Sequence, residues 1–223
     1  MLKTHTFLLV GIGIAAVIGA GFYFAVQNFG TVIPWPSGSQ PATTTVSGVS
    51  GTGSYTVEPV EAKIPSLDRP ITITADLSDE VKTKLTDILE KNVELLRKEP
   101  TRVDLWLQLG VNRKIAGDFE GAIEAWEYVA QVAPTAQSAV AHGNLGDLYM
   151  YFIKDYAKAV TRFNQAIALN PNMIDYYRSL FYLYKDIYKD PAKAQAILTQ
   201  GLAANPGNKD LLGYQAELNA KSQ

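Results

Sequence analysis

The chain has 223 residues, of which 47% are hydrophobic and 19% are charged, and its formal net charge is −2. This composition is enough for one packed domain with additional segments. The slight negative charge argues against nucleic acid as a partner, because nucleic-acid-binding domains present a basic face. The sequence contains no cysteine, which excludes disulfides, thiolate metal sites and a cysteine nucleophile.

The N-terminal segment has the composition of a membrane anchor. After a short tail, residues 1–6, the run 7–26 contains twenty residues without a charged side chain, which matches the roughly 20 needed to cross a bilayer as a helix. We therefore expect a transmembrane helix at residues 7–29. A cleaved signal peptide is the alternative, although its apolar core would be about 7–15 residues long. Lys3 and the amino terminus are the flanking positive charges, which predicts an N-terminus inside and an extracytoplasmic remainder.

Residues 30–75 are predicted to form a flexible linker that ends in an extended segment. Between residues 31 and 56, 18 of 26 residues are Ser, Thr, Gly or Pro, and none is charged. Such a stretch has little apolar surface to bury. Three prolines between residues 59 and 70 then argue against a helix. Residues 70–74 alternate apolar and polar side chains, and we expect them to lie extended along the following domain.

A long helix is expected from Ser78 to the residues before Pro100. Ser78 is a favourable N-cap, and Asp79 and Glu80 follow it where the helix dipole favours negative charge. The apolar residues of this stretch recur at the spacing of a single helical face. They are Val81, Leu85, Ile88, Leu89 and Leu96.

One pattern then occurs three times. Prolines at positions 100, 134, 171 and 206 are separated by 34, 37 and 35 residues, and each predicts the end of a helix. Between the prolines, large apolar, small and aromatic residues follow in one order. The three copies are Trp106, Leu109, Gly110, Gly117, Asp118, Phe119, Ala122, Trp126; His142, Leu145, Gly146, Tyr149, Asp155, Tyr156, Ala159, Phe163, Ala166; and Tyr177, Leu180, Tyr184, Ala194, Leu198.

This order resembles the tetratricopeptide repeat, a helix–turn–helix unit of about 34 residues. The resemblance implies an all-α fold, a right-handed solenoid within residues 76–223. Its repeats would lie at about 103–136, 139–173 and 174–207, between an N-terminal and a C-terminal capping helix. Within each repeat, the leucine would face the partner helix, and Gly110 and Gly146 would allow the two helices to approach closely.

The sequence departs from the family pattern at four positions. Arg113 stands in place of a tyrosine, His142 in place of a tryptophan, Phe181 in place of the glycine and Gly201 in place of an alanine. We expect the third repeat to be looser for this reason, and His142 to be an interior packing residue. The residues that lengthen the repeats, two within 135–138 and one within 151–154, are expected to lie in loops.

No arrangement of residues predicts catalysis. The two histidines, His5 and His142, belong to no metal-ligand or Ser-His-Asp pattern. Carboxylates such as Asp147, Asp175 and Asp186 are expected on helices without a pairing motif. We therefore predict a protein that is not an enzyme, with no catalytic residue, cofactor or metal site.

The resemblance also implies a concave groove lined by the first helix of each repeat. Amides, tyrosines and cations on that face would suit an extended peptide. The candidate groove residues are Gln108, Val111, Asn144, Asp147, Tyr151, Arg178, Tyr182 and Lys185. Some family members hold a terminal carboxylate with lysines and asparagines on this face. Leu107 and Val111 occupy two of those positions here and only Asn144 matches, so we do not expect that mode of binding.

The sequence thus predicts a membrane-tethered adaptor or scaffold whose repeat domain binds a protein or peptide through the groove. Its predicted partners are a protein or peptide and, through one N-terminal span, a membrane, but not nucleic acid. The alternative is a structural subunit of a larger membrane or secretion-associated complex, held by its outer surface.

Overall fold

A computed structural model describes residues 62–220, which form helices and one extended segment but no strand. The predicted transmembrane helix at residues 7–29 and the polar linker before residue 62 lie outside the described residues. Within 62–220, no helix combines the length and the apolar character that a membrane crossing requires.

The described residues form eight α-helices, each of which packs against the next along the chain. They are α1 (Asp79–Lys98), α2 (Val103–Ala116), α3 (Phe119–Val132), α4 (Thr135–Asp147), α5 (Tyr156–Leu169), α6 (Ile174–Tyr182), α7 (Pro191–Ala204) and α8 (Lys209–Ala220). The pairs α2–α3, α4–α5 and α6–α7 are the three repeats, and α1 and α8 are the capping helices. The prediction of paired helices stacked in series is confirmed.

The repeated prolines mark helix ends in the predicted way. The C-caps of α1, α3, α5 and α7 are each the residue immediately before a proline, because the proline ring disfavours α conformation in the residue that precedes it. Two of these prolines also accept a hydrogen bond from the aromatic residue six positions later. Trp106 Nε1 donates to the Pro100 carbonyl at 2.8 Å, and the Tyr177 hydroxyl donates to the Pro171 carbonyl at 3.0 Å.

The second helix of every repeat begins with an aspartate N-cap. Asp118, Asp155 and Asp190 each accept a hydrogen bond from the backbone N–H three residues later, at 2.9, 3.1 and 2.9 Å. This contact satisfies one of the free amide groups at the start of the helix. The three aspartates therefore give a common reference point for comparing the repeats.

In the first two repeats, a glycine on the first helix receives a large ring from the second. A Cβ atom on Gly110 would lie 2.6 Å from Cε2 of Trp126, and one on Gly146 would lie 2.6 Å from Cε1 of Phe163. Both distances are too short for any real Cβ contact. The glycines therefore allow the close helix approach that the sequence predicts.

The third repeat is packed differently. Phe181 stands at the glycine position, is fully buried and stacks on Tyr214 of α8 with the ring centroids 5.3 Å apart. The helices α6 and α7 contact each other less extensively than the helices of the first two pairs. This agrees with the expectation of a looser repeat, and its large ring packs toward the C-terminal capping helix instead.

The expectation that the extra residues lie in loops is wrong. Helix α4 begins at Thr135, directly after Pro134, so the two residues added there extend the helix. The single extra residue is taken up by a π-helical turn, Leu148–Ile153, that continues α4. A second such turn, Leu183–Ile187, continues α6. The π turn holds one residue more per hydrogen-bonded ring than the α-helix, which lengthens a repeat without breaking the stack.

The backbone leaves each first helix through a left-handed residue. Gly117 has this conformation in repeat 1 with φ of 83°, and Lys154 and Lys189 have it after the two π turns with φ of 65° and 54°. Glycine adopts the conformation without a steric cost, whereas lysine does not. The turns of repeats 2 and 3 thus reproduce the geometry of Gly117 with lysines.

The segment before α1 is extended and packs on the helices. Alternate residues between 67 and 77 are partly buried, and Ile71 and Ile73 contact the hydrophobic core. The backbone N–H groups of Thr74 and Ala75 donate to the Ala116 carbonyl at 2.8 and 3.1 Å. This is the extended course that the alternation in residues 70–74 predicts.

A group of charges fastens the extended segment to repeat 1. The Arg69 guanidinium lies 3.3 Å from Asp118, 3.4 Å from Glu120 and 3.0 Å from Glu124. Asp118 also forms an ion pair with Arg113, which is only 3% exposed. The arginine that stands where repeats 2 and 3 have Tyr149 and Tyr184 is therefore neutralised by the same aspartate that caps α3.

Candidate functional site

The predicted groove residues differ in their surroundings. They lie on α2, α4 and α6 and on the two π turns, as expected for the first helix of each repeat. Tyr151 and Arg178 are exposed, and the other six are partly buried. Three of them lie near one another, and others contact a capping helix.

The central group is built around Asp147, the last residue of α4. Burial raises the pKa of this carboxyl to about 6, and the charge of Asp175 acts in the same direction. The charges of Lys114 on α2 and Arg178 on α6 lower the pKa and offset part of this rise. Among residues 62–220 the carboxylate has no salt bridge within 4.0 Å. Asp147 is therefore a partly buried carboxylate near two cations, with neither of which it forms an ion pair.

Tyr151 and Arg178 border this carboxylate. The Tyr151 side chain, 49% exposed, lies near Asp147 and shares a hydrogen bond with Ser179 of α6. Burial and the Asp147 charge raise the pKa of its hydroxyl. Arg178 is exposed and forms an ion pair with Asp175 at 2.7 Å. We call Asp147, Tyr151 and Arg178 the central cluster; it joins the first helices of repeats 2 and 3.

The Tyr176 side chain connects α6 to α4, where it contacts a glycine; the site prediction included neither residue. The buried Tyr176 hydroxyl donates to the Ala139 carbonyl at 3.1 Å. A Cβ on Gly143 would lie 2.5 Å from Cε1 of Tyr176. Gly143 does not belong to the repeat pattern and lies inside a helix. It was the feature of the sequence that could have indicated a close contact with α4 at this position.

Tyr182 and Lys185 hold the C-terminal capping helix instead of facing an open groove. The Lys185 side chain is 9% exposed and forms an ion pair with Glu217 of α8. Its ammonium lies 4.7 Å from the centre of the Tyr182 ring, and that ring meets Tyr214 edge-on at 5.6 Å. Sequence reasoning could not assign this role, because the register of α8 against α6 comes only from the fold.

At the other end of the stack, Gln108 belongs to a row of amides between α1 and α2. Asn92 Nδ2 donates to Gln108 Oε1 at 3.3 Å, and Asn112 Nδ2 donates to Asn92 Oδ1 at 2.6 Å. Both asparagines are buried. Val111 is partly buried against the core, and Asn144 is partly buried. Gln108 thus takes part in attaching the N-terminal capping helix.

His142 is an interior residue, as expected. It is buried, and its Nδ1 lies 3.4 Å from a guanidinium nitrogen of Arg162. Burial lowers the pKa of the imidazole, and the Arg162 charge lowers it further. In residues 62–220 no group of three His, Cys, Asp or Glu side chains is arranged to hold a metal ion.

The raised pKa of Asp147 predicts a pH dependence of stability. Between its ordinary pKa of 3.8 and about 6, the folded state binds more protons than the unfolded state, so the free energy of unfolding falls as pH rises through this window. We expect Asp147→Asn to remove this contribution and to be more stable than the parent chain by about 1–2 kcal/mol at pH 7.

Urea unfolding of the full-length chain from pH 4 to pH 7.5 measures this difference. The matched control is Asp175→Asn, on an exposed carboxylate that is already paired with Arg178. A stability difference between the parent chain and Asp147→Asn that does not grow between pH 4 and 6 contradicts the prediction.

Comparison with known proteins supports the fold. The solved structure titled "Crystal structure of MamA" matches with a TM-score of 0.50 and 24% sequence identity, over 67% of this chain and 86% of that chain. No family model matches the sequence, and no curated protein matches it. The likeness concerns architecture alone. Together with the paired helices, the repeated prolines and the glycine–ring contacts, it shows that the described residues form a tetratricopeptide-like helical repeat fold.

Proposed function

We propose that this protein is a membrane-tethered, non-enzymatic adaptor that binds an extended segment of a partner protein on the side formed by α2, α4 and α6. The observation that carries the proposal is the central cluster, where a carboxylate, an exposed tyrosine and an exposed arginine lie together on two adjacent repeats. Within residues 62–220 that carboxylate has no ion-pair partner.

The chemistry of the cluster suits a polypeptide. Tyr151 offers a flat ring with a hydroxyl, which gives contact area at a small entropic cost. Asp147 and Arg178 supply charges of opposite sign for side chains or backbone groups of the bound segment. Gly143 and Tyr176 fix the distance between the two helices, so the cluster is held in place before the partner binds.

The same proposal includes a membrane anchor at the N-terminus. A transmembrane helix at residues 7–29, with the N-terminus inside, would place the repeat domain outside the cytoplasm at the end of the polar linker. The composition of residues 1–56 supports this arrangement. Glycosylation-site insertion into the linker and into the N-terminal tail would report which side of the membrane each occupies.

The test of partner binding is the double variant Tyr151→Ala with Arg178→Ala. Both side chains are exposed, so folding should be preserved, and we expect about a tenfold loss of captured partner. Tyr182 is left unchanged in this variant, because its ring packs against Tyr214 of α8 and its loss could affect folding. The measurement is photo-crosslinking in intact membranes from a photoreactive residue at position 144, followed by identification of the adduct.

The matched control replaces an exposed cation and an exposed apolar residue elsewhere, Lys91→Ala with Leu212→Ala, where Leu212 is 46% exposed. This variant should capture as much partner as the parent chain. Equal adduct yield from the parent chain and the Tyr151/Arg178 variant would exclude the central cluster as the binding site.

A second candidate function is supported by exposed apolar residues away from the cluster. Phe152, Ile153, Ile187 and Tyr188 are between 39% and 49% exposed at the turns of repeats 2 and 3. A subunit built into a larger membrane or secretion-associated complex would cover such residues. Crosslinks concentrated at position 187, and absent at position 144, would favour the structural subunit over the adaptor.

A further inference from the structure

The extended segment occupies a groove that the repeat architecture contains more than once. In repeat 1 the segment lies between α1 and the turn that joins α2 to α3. Arg97 of α1 donates to the Leu67 carbonyl at 3.3 Å. Thr74 and Ala75 donate to the Ala116 carbonyl, and the Thr74 side chain contacts Gly117. We call this space, between a repeat's turn and the second helix of the preceding unit, the turn groove.

The turn groove of repeat 3 is open. Counting from the N-cap aspartates, Ala116 and Gly117 of repeat 1 correspond to Tyr188 and Lys189. At that place the surface forms a depression of about 320 Å³. It is lined by Ala157, Val160, Tyr184, Tyr188 and Lys193. Ala157 and Val160 belong to α5, the second helix of the preceding repeat, so the depression matches the site that the extended segment fills in repeat 1.

Exposure and hydrogen bonding show the difference between the filled and the open groove. Ala116 is fully buried, whereas Tyr188 is 46% exposed. Leu89 of α1 and Val160 of α5 are equivalent positions, since each stands eleven residues before a repeat proline. Leu89 is buried, whereas Val160 is partly exposed. Within the described residues, the Tyr188 carbonyl accepts no hydrogen bond. Repeat 3 therefore offers an apolar groove and a free acceptor at the place where repeat 1 binds an extended backbone.

The charge around the two grooves differs in sign. In repeat 1, Arg69 of the bound segment meets Asp118, Glu120 and Glu124. The positions of the two glutamates are Ala192 and Ala196 in repeat 3. The third carboxylate, Asp190, is already paired with Lys193 at 3.2 Å. The exposed Lys189 has no ion pair within residues 62–220. An occupant of repeat 3 should therefore carry a carboxylate where the segment in repeat 1 carries Arg69.

This chain contains such a sequence. Eleven residues before Arg69-Pro70-Ile71-Thr72 stands Glu58-Pro59-Val60-Glu61, with the same order of charge, proline, apolar and polar residue but with glutamate in place of arginine. We propose that residues 57–61 of a second copy of this chain bind in the turn groove of repeat 3, with Val60 on the apolar lining and the glutamates beside Lys189 and the Lys193–Asp190 ion pair.

The direction of the chain favours a second copy over the same molecule. Arg69 contacts α3, and the preceding residues, Leu67 and Asp68, contact Arg97 of α1. Toward its N-terminus the segment thus runs to the first helix of the stack and away from α5 and α7. The resulting contact joins the N-terminal end of one copy to the C-terminal repeat of another, a head-to-tail arrangement that can continue from copy to copy.

The test uses the full-length chain in detergent and a labelled peptide of residues 55–62, YTVEPVEA, with binding followed by fluorescence anisotropy. We expect saturable binding. The chain variant Lys189→Glu with Lys193→Glu should bind this peptide about tenfold more weakly than the parent chain does. A second peptide, with Glu58→Lys and Glu61→Lys, should bind the variant about tenfold better than it binds the parent chain. Both lysines are exposed, so the variant should fold.

A control variant, Lys209→Glu on α8, should bind the peptide as the parent chain does. The proposal is overturned if the peptide does not bind at millimolar concentration, if the charge-swapped pair fails to restore binding, or if Tyr151→Ala with Arg178→Ala abolishes binding.

Sedimentation of the full-length chain distinguishes a segment that comes from a second copy from one that comes from the same molecule. Association that rises with concentration and is lost in the Lys189/Lys193 variant supports a second copy, and a monomer at all concentrations contradicts it.

Discussion

Asp118→Ala is expected to lower the free energy of unfolding by about 3–5 kcal/mol. The substitution leaves Arg113, which is 3% exposed, without its ion-pair partner inside the first repeat. It also removes the N-cap of α3 and one of the three carboxylates around Arg69. A buried charge that loses its partner costs far more than the loss of a surface ion pair, so the Arg113 contribution dominates.

Two further variants separate the causes of this loss. Asp155→Ala removes the equivalent N-cap of α5, whose ion pair is with the exposed Lys158, and should cost about 1 kcal/mol. Adding Arg113→Tyr to Asp118→Ala introduces the residue found at the equivalent positions 149 and 184, and should recover most of the difference. Chemical denaturation of the full-length chain measures all three. Equal losses for Asp118→Ala and Asp155→Ala would show that the buried ion pair is unimportant.

Gly110→Ala is expected to destabilise the domain by about 1–3 kcal/mol. The added Cβ would lie 2.6 Å from Cε2 and 2.7 Å from Cδ1 of Trp126. This indole is fully buried, and its Nε1 donates to the Leu107 carbonyl at 3.2 Å, so it cannot move aside without losing a hydrogen bond. The strain outweighs the higher helix propensity of alanine, which alone would favour the variant by about 0.5–1 kcal/mol.

Gly213→Ala in α8 is the matched control. It makes the same chemical change inside a helix, but in residues 62–220 the added Cβ would meet no atom within 4 Å beyond the adjoining backbone of its own helix. This variant should gain up to about 1 kcal/mol from helix propensity. Thermal unfolding of both variants gives the comparison, and opposite signs are expected. A stabilised Gly110→Ala variant would mean that the helices of repeat 1 are not held at the distance that the glycine allows.

The helix order of the domain was predictable because local signals repeat in the sequence. Each proline stops a helix through its effect on the preceding residue, and the glycines at positions 110 and 146 face rings sixteen and seventeen residues later. The π turns after α4 and α6 could not be predicted. A repeat that is one residue longer can absorb the addition in a loop or within a helix, and residue counting does not distinguish the two.

The candidate site was less accessible to sequence reasoning. The pattern places Asp147, Tyr151 and Arg178 on first helices, but the pKa of Asp147 depends on groups from α2 and α6. The roles of Tyr182 and Lys185 depend on α8, whose contacts involve residues more than thirty positions away. The buried pairing of Asn92 with Asn112 likewise joins two helices whose register the sequence does not specify.

The course of the extended segment determines how a pull on the N-terminus would be resisted. Traction applied at residue 62 would first load the contacts of Leu67 and Asp68 with Arg97, near the C-terminal end of α1. It would then load the Arg69 ion pairs and the two hydrogen bonds to the Ala116 carbonyl before it reached the first turn of α1. Because the Arg69 ion pairs and the Ala116 hydrogen bonds attach to repeat 1, they would carry part of this force into repeat 1 before it could unwind the first turn of α1. If the N-terminus is tethered as proposed, the contacts of the extended segment would resist a pulling force before it reached the central cluster.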